Sequence, residues 1–376
     1  MKFVLIPDSF KGTLSSEQIC EIVKEKVEKH FSGAEIMCVP VADGGEGSVD
    51  AFLTALGGSK VSVKVKNPYF EEMDSYYGLI HEGETAVIEM ASCAGLPLVE
   101  DRKNPKLTTT YGVGQLILAA AESGVKKIIV GLGGSSTNDG GCGAAAAVGI
   151  KFFDKNGREF IPTGGTTADI KKIDLSGRAK VLDQVEIITM CDIDNPMYGP
   201  TGASYIFGPQ KGADAVMVEE LDAGIKNLSC VIAEAIGKDI SQVPGTGAAG
   251  AMGAGMIAFF DSRLQMGIQT VLDTVNFDEM ITDADYIVTG EGKLDSQSLR
   301  GKVVIGIAER AKKQNKKVIA VVGGADDSEI DKAYEMGVTA VFPINRLPQD
   351  FSVSRYHSEE NLGYTVDNIL RLLAAR

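Results

Sequence analysis

Two rhythms of apolar and polar residues run along this chain, and the places where one gives way to the other predict its organisation. At the N-terminus Lys2-Phe-Val-Leu-Ile-Pro7 reads as a buried strand, with the polar loop Asp8-Ser-Phe-Lys-Gly12 directly after it. Ser15 with Gln18 has the pattern of a capping box, and Ile19, Ile22, Val23 and Val27 then recur at helical spacing. A second strand, loop and helix follow: Glu35-Ile-Met-Cys-Val-Pro-Val41, the loop Ala42-Asp-Gly-Gly-Glu-Gly47, and a helix through Ala51, Phe52 and Leu56 that Gly57-Gly58 stops.

The period then changes to two. Lys60-Val-Ser-Val-Lys-Val-Lys66 alternates strictly, and residues 75–81 and 85–90 read as the arms of a hairpin around Glu82-Gly-Glu84, so a mixed or antiparallel sheet begins here. The middle of the chain continues with a helix at about 111–123 and the strand Lys126-Lys-Ile-Ile-Val130. A helix start at Ala144-Ala-Ala-Ala147, a hairpin signal at Lys155-Asn-Gly157 and the strand Val185-Glu-Ile-Ile-Thr-Met190 come next. Cys191 to Ala213 reads as a long irregular segment, of the kind that usually carries function. Strand-and-loop units return at Tyr286-Ile-Val-Thr289, Val318-Ile-Ala-Val-Val322 and Val338-Thr-Ala-Val-Phe342, and the end of the chain from about 358 is helical. Two blocks of βα units around a mixed middle predict an α/β fold of two domains. One is a Rossmann-like, doubly wound parallel-sheet domain built from both chain ends (1–70 and 283–376); the other is a mixed-sheet α/β domain inserted in it (71–282). A ligand cleft is expected where the carboxyl ends of the strands meet the insert.

Composition narrows the class. With 376 residues, 44% of them hydrophobic and 23% charged, the chain can bury more than one core and is not disordered. A formal net charge of −14 repels nucleic acid and anionic membrane at long range, so neither is an expected partner. The opening strand is too short and too early for a signal peptide, and no apolar run approaches the ~20 residues of a membrane span, so a cytoplasmic protein is expected. Its oligomeric state is open, a homo-oligomer included. The cysteines Cys20, Cys38, Cys93, Cys142, Cys191 and Cys230 show no Cys-x-x-Cys spacing and are expected to be reduced and mostly buried. None of His30, His81 and His357 lies in a loop that would give a cysteine a base, which argues against a thiol enzyme.

The 44 glycines cluster beside acidic residues, hydroxyls and lysines. In Gly131-Leu-Gly-Gly-Ser-Ser-Thr-Asn-Asp-Gly-Gly-Cys-Gly143, between a strand and a helix start, glycines and free amides at a helix N-terminus favour an anion, and Ser135, Ser136 and Thr137 add hydroxyls. The segment matches neither a P-loop nor Gly-x-Gly-x-x-Gly, so it points to phosphate without saying which. The plainer reading is a packing turn, which has no use for so many polar residues. Pro244-Gly-Thr-Gly-Ala-Ala-Gly-Ala-Met-Gly-Ala-Gly255 fits a second phosphate loop or close helix packing equally well.

Polar loops that follow apolar strands share one address, the ligand edge of a sheet. Phosphoryl transfer needs cations, a carboxylate near the acceptor hydroxyl, and amides for the phosphates. Lys11, Lys211 and Lys293 supply cations; Asp43, Glu46, Asp192, Asp194, Glu291 and Asp295 supply carboxylates, some of which would hold Mg²⁺ largely through water. Singly, each has a duller role: Asp8 and Asp43 as cap or Asx-turn residues, Lys211 and Lys293 as solvated charges. Asp192 and Asp194 point to opposite sides of an extended segment, so at most one faces a site.

At these loops the chain resembles the type 1 glycerate kinase family. Asp8-Ser-Phe-Lys-Gly12, Ala42-Asp-Gly-Gly-Glu-Gly47, Gly131 to Gly141, Cys191-Asp-Ile-Asp-Asn-Pro196, Phe207-Gly-Pro-Gln-Lys-Gly212, Gly247-Ala-Ala-Gly250 and Thr289-Gly-Glu-Gly292 with Asp295-Ser-Gln297 are similar to its blocks, in the same order, over nearly the whole chain. The resemblance implies ATP-dependent phosphorylation of D-glycerate, to 2-phosphoglycerate in many members and 3-phosphoglycerate in others. It also implies a flavodoxin-like domain from both chain ends with a mixed α/β insert. The roles expected on this footing are as follows. Lys11 and Ser9, beside Asp8, hold the substrate carboxylate or the phosphate in transfer. Gly133, Gly134, Ser135, Ser136, Thr137 and Asn138 cradle phosphate, with Lys211 and Lys293 nearby. Asp192 receives the acceptor proton, and Glu291 or Asp43 positions Mg²⁺. A kinase for another small hydroxy acid and a non-catalytic sensor of a phosphorylated metabolite are the rivals.

Overall fold

Strands from the two ends of the chain lie side by side in a single parallel sheet. In the computed structural model, which describes every residue except Ala42, Asp43, Glu46 and Arg376, this sheet runs Ala340–Pro343, Val318–Val322, Tyr286–Thr289, Lys2–Leu5, Glu35–Cys38. Counted in chain order, its strands fall in the sequence 2-1-3-4-5 read from the other edge, the flavodoxin-like arrangement. The order reverses between Lys2–Leu5 and Tyr286–Thr289, where Phe3 pairs with Tyr286 and Leu5 with Val288. These strands are apolar on both faces because helices cover both. Helices Ser16–His30 and Ser358–Ala374 pack over Phe3, Leu5 and Val321 through Ile19, Val23, Leu362 and Val366. The first helix begins with both hydrogen bonds of its capping box, Gln18 N to Ser15 Oγ (3.2 Å) and Ser15 N to Gln18 Oε1 (2.8 Å).

The second sheet is mixed, with order Arg263–Gln265, Glu186–Met190, Lys127–Gly131, Thr85–Glu89, Glu72–Ile80, Ser59–Lys66. Its first four strands are parallel and the last two antiparallel, and the period-two segment forms the outer strand. Val61, Val63 and Val65 turn inward along that strand, as the alternation requires. A small antiparallel sheet of Lys151–Phe153, Glu159–Phe160 and Lys172–Asp174 carries the Asn156-Gly157 hairpin.

Two compact units follow from these pairings: Met1–Ala42, Thr54–Leu56 and Gly267–Arg376 in the first, Asp43–Leu53 and Gly57–Met266 in the second. The long segment of the second unit, Gly57–Met266, begins and ends within about 20 residues of 70 and 283. Ser59–Lys66 pairs along its whole length with Glu72–Ile80, which takes it into the second unit, and helix Gly267–Thr274 belongs to the first.

One stretch differs from its reading in the sequence, and a second takes one of the two forms read for it. The segment from Cys191 to Ala213 is not irregular throughout, since it holds the short helix Ala203–Phe207 and the turn Pro209–Lys211. Residues 244–255 are a packing element: helix Ala248–Phe260 starts with a left-handed turn at Ala249, Gly250 and Ala251, and a Cβ on Gly250 would lie 2.1 Å from the carbonyl oxygen of Thr137. Among the described residues no helix is long and apolar enough to cross a membrane.

Candidate active site

In the second unit, strands Lys127–Gly131 and Glu186–Met190 run parallel in register, Gly131 opposite Met190, so the loops that leave them emerge together. Leu132, Gly133, Gly134 and Ser135 from one loop and Cys191, Asp192 and Ile193 from the other line a pocket of about 220 Å³, closed by Phe207, Gln210, Lys211, Ala248 and Ala249. Asp192 is half-buried at this pocket while Asp194 is exposed and does not line it, the opposite orientation expected of an extended segment.

Lys211 is the unusual member. It is 1% exposed, and its ammonium donates to Ser135 Oγ (2.9 Å) and to the Thr137 carbonyl (2.6 Å). Both partners are neutral, so burial dominates and pulls its pKa down from 10.5 to about 7, against a smaller opposing effect of Asp139. This is the reverse of the solvated lysine that its position in a Gly-Pro-Gln-Lys-Gly turn suggests.

The glycine-rich loop is built differently from the anion cradle read in its sequence. The helix after it, Cys142–Ala147, is a bare six residues, and its amides are already taken. Gly141 and Gly143 donate to Asp139 (3.1 and 3.2 Å), and Ala144 donates to Thr110 Oγ1 (2.9 Å). Asp139 is fully buried and also accepts from Thr110 N (2.7 Å) and Thr110 Oγ1 (2.9 Å); burial still holds its carboxyl above the usual range. Gly131 and Gly133 are glycines because a neighbouring turn presses on them, a Cβ on Gly133 falling 2.5 Å from Gly45 Cα. Gly133, Gly134 and Ser135 reach the pocket, whereas Ser136, Thr137 and Asn138 lie buried outside its lining. Thr137 Oγ1 and Asn138 Oδ1 have no hydrogen-bond partner among the described residues.

In the first unit the loops after Lys2–Leu5 and Tyr286–Thr289 leave the sheet where its order reverses. The Asp8 amide donates to the Gly290 carbonyl (2.8 Å), and the Gly323 amide to the Glu291 carbonyl (3.1 Å), which ties three loops together. Glu291 is 7% exposed, and its Oε1 has no hydrogen-bond partner among the described residues. Burial pushes its carboxyl up to about 7; the hydroxyl of Ser298 pulls it down, and the nearby charges of Asp8 and Asp295 push it up. Asp8 and Ser9 are half-buried, with the Ser9 amide on Asp8 Oδ1 (2.7 Å). Lys11 is exposed, and Lys293 is an exposed ion pair with Asp326 (3.0 Å). Asp295 closes an Asx turn on the Gln297 amide (2.8 Å). Asp43 and Glu46 lie outside the described residues.

Asp192, Ser135, Gly133, Gly134 and Lys211 thus share the pocket of the second unit, while Asp8, Ser9, Lys11, Glu291 and Lys293 belong to the loops of the first. Two buried carboxylates escaped the sequence reading, Asp139 and Glu89. Glu89 is 2% exposed and accepts the Val49 amide (2.5 Å) at the start of helix Ser48–Leu56, so it fixes the start of that helix to the sheet. A lone acid closing the apolar strand Thr85–Glu89 was the signal available. Burial pushes the Cys191 thiol up to about 11, which removes the thiolate a nucleophile would need.

A buried lysine and a carboxylate where two parallel strands end are groups of the kind that phosphoryl transfer uses. The model of the glycerate kinase family matches residues 3–374, and the chain belongs to that family. It is 43% identical to the glycerate 2-kinase of Escherichia coli over 345 residues, covering 92% of this chain and 90% of that one. Identity to the glycerate kinase of Bacillus cereus is 42% over 370 residues, covering 98% and 97%. A solved structure from Salmonella typhimurium LT2, provisionally named glycerate kinase 2, superposes with a TM-score of 0.88 at 37% identity, covering all of this chain and 98% of the other.

Proposed function

We propose that this chain transfers the γ-phosphoryl group of ATP to D-glycerate, forming 2-phosphoglycerate in preference to 3-phosphoglycerate, in the cytoplasm. Besides family membership, one observation carries the reading: the buried Lys211 and the carboxylate of Asp192 line the same small pocket at neighbouring strand ends. The acceptor hydroxyl oxygen attacks the γ-phosphorus in line, the bond to the β–γ bridging oxygen breaks, ADP leaves, and the hydroxyl proton passes to Asp192. Lys11 and Ser9, beside Asp8, hold the substrate carboxylate or the phosphate in transfer, and Lys293 adds positive charge.

Magnesium would neutralise part of the triphosphate charge. No group of three His, Cys, Asp or Glu among the described residues forms a cage for an ion. Mg²⁺ needs no such cage, because it keeps several waters and is bound through one or two carboxylates plus substrate phosphates. The buried Oε1 of Glu291, which has no hydrogen-bond partner among the described residues, fits that pattern, and Glu291 is the residue that would hold it.

The test is ADP release measured by a coupled assay across a panel of small hydroxy acids, with the phosphorus NMR spectrum of the product. D-glycerate should give the highest kcat/KM and a signal for phosphate on the second carbon. Ligand-induced stabilisation without ADP release would instead identify a sensor.

A further inference from the structure

The pocket of the second unit holds one buried cation, one carboxylate and mostly apolar walls, and that balance selects its occupant. Its volume of about 220 Å³ lies below the roughly 300–1,000 Å³ of pockets for drug-sized ligands. The triphosphate tail of a nucleotide offers acceptors alone and several negative charges. Against it this pocket sets a single ammonium, and it adds the negative charge of Asp192. A small hydroxy acid offers one anionic end and hydroxyl donors, the complement of a lysine at one point and a carboxylate at another. Several amides of the glycine-rich loop, on which a polyphosphate would call, are spent: Gly133 donates to Gly44, Ser136 to Ala94, Gly140 to Gly250, and Gly141 and Gly143 to Asp139.

Resting on the glycerate reading above, we infer that this pocket is the acceptor subsite, in which Lys211 and Ser135 receive the carboxylate of the hydroxy acid and Asp192 faces its hydroxyl end, and that it takes no part of the nucleotide. Lys211 is held ready by two neutral partners, so an arriving carboxylate meets a cation with no competing carboxylate on its nitrogen among the described residues. Leu132, Met190, Phe207 and Ala248 exclude water from that pair and confine the ligand to a short carbon chain.

The experiment is isothermal titration of the intact protein with D-glycerate, with its uncharged amide, and with Mg-ADP, in wild type, Lys211→Met and Ser135→Ala. Loss of a charge-assisted contact should weaken D-glycerate by about 10–100-fold in Lys211→Met. The amide should bind both proteins equally, and Mg-ADP should change by less than about twofold. Ser135→Ala gives the same pattern at smaller amplitude, and keeps the question answerable should Lys211→Met not fold. Equal weakening of Mg-ADP, or unchanged D-glycerate binding, overturns the assignment. Failure of the glycerate reading itself appears separately, as absence of ADP release by wild type with D-glycerate and Mg-ATP.

Discussion

Asp192 and Lys211 are one loop apart in space but respond to substitution in opposite ways. Asp192→Asn keeps the shape of the pocket and removes the proton acceptor, so kcat should fall by about 10²–10⁴ while the thermal melt stays within a degree or two of wild type. Normal turnover in the folded variant would move the base elsewhere. Lys211, by contrast, costs stability in the empty protein. Its folded pKa, about 7, lies below the ordinary 10.5, so below pH 7 the amine is charged in both states and the burial cost is fully present. Between pH 7 and 10.5 the unfolded chain binds the extra proton, and stability from this group rises by about 1.4 kcal/mol per pH unit. Lys211→Met should therefore stabilise the protein, by more at pH 6 than at pH 9, measured by urea unfolding at both. A gain independent of pH would show that the lysine is not charged when buried. Glu291→Gln removes the proposed magnesium ligand and should raise the Mg²⁺ concentration needed for half-maximal rate; an unchanged requirement would exclude Glu291 from the metal.

At the level of the loops and helices, the glycine-rich segment is a lesson in what a local pattern conveys. Its place between a strand and a helix was readable from β-branched residues followed by alanines, and so were the capping box at Ser15 and the hairpin at Asn156-Gly157, because each depends on neighbours in the chain. The use of its glycines was not readable. Gly131 and Gly133 meet Gly44 and Gly45, roughly ninety residues away, and only the folded sheet brings them together. The burial of Lys211 was not readable either, since it depends on Ser135 and Thr137, which are remote in sequence; from its neighbours alone the residue could be a ligand-binding cation or a surface charge. Asp139 shows how much structure one such contact can carry. Asp139→Ala would leave the amides of Thr110, Gly141 and Gly143 without their acceptor, each buried unpaired group costing about 1–3 kcal/mol. The expected result is a loss of several kcal/mol, read as a large fall in melting temperature, with Asp139→Asn milder because one acceptor oxygen remains. Equal stability of Asp139→Ala and wild type would mean that water replaces the carboxylate there.

For the molecule as a whole, the sequence conveyed the return of βα units at the C-terminus, and with it a parallel sheet drawn from both ends. The point of division was less legible. The antiparallel partner of Ser59–Lys66 follows it immediately, so alternation alone did not say which sheet that strand joins. Each unit has its own buried core, one around Phe3, Leu5 and Val366, the other around Ile88, Leu116 and Phe259. If these units are domains in the folding sense, a fragment of residues 43–266 should unfold cooperatively on heating, monitored by circular dichroism. A gradual, non-cooperative melt would show that this core needs the rest of the chain.

The flavodoxin-like order also sets a timetable for biosynthesis. Lys2–Leu5 leaves the ribosome well ahead of one of its two neighbours in the sheet, Tyr286–Thr289, which is made some 280 residues later. At ~5–20 residues per second the emerging strand waits on the order of tens of seconds, with one hydrogen-bonding edge open. The segment in between can complete its own sheet during that interval. A nascent chain halted before Tyr286 should thus display the open edge of Lys2–Leu5 to chaperones, and full-length release should end that exposure.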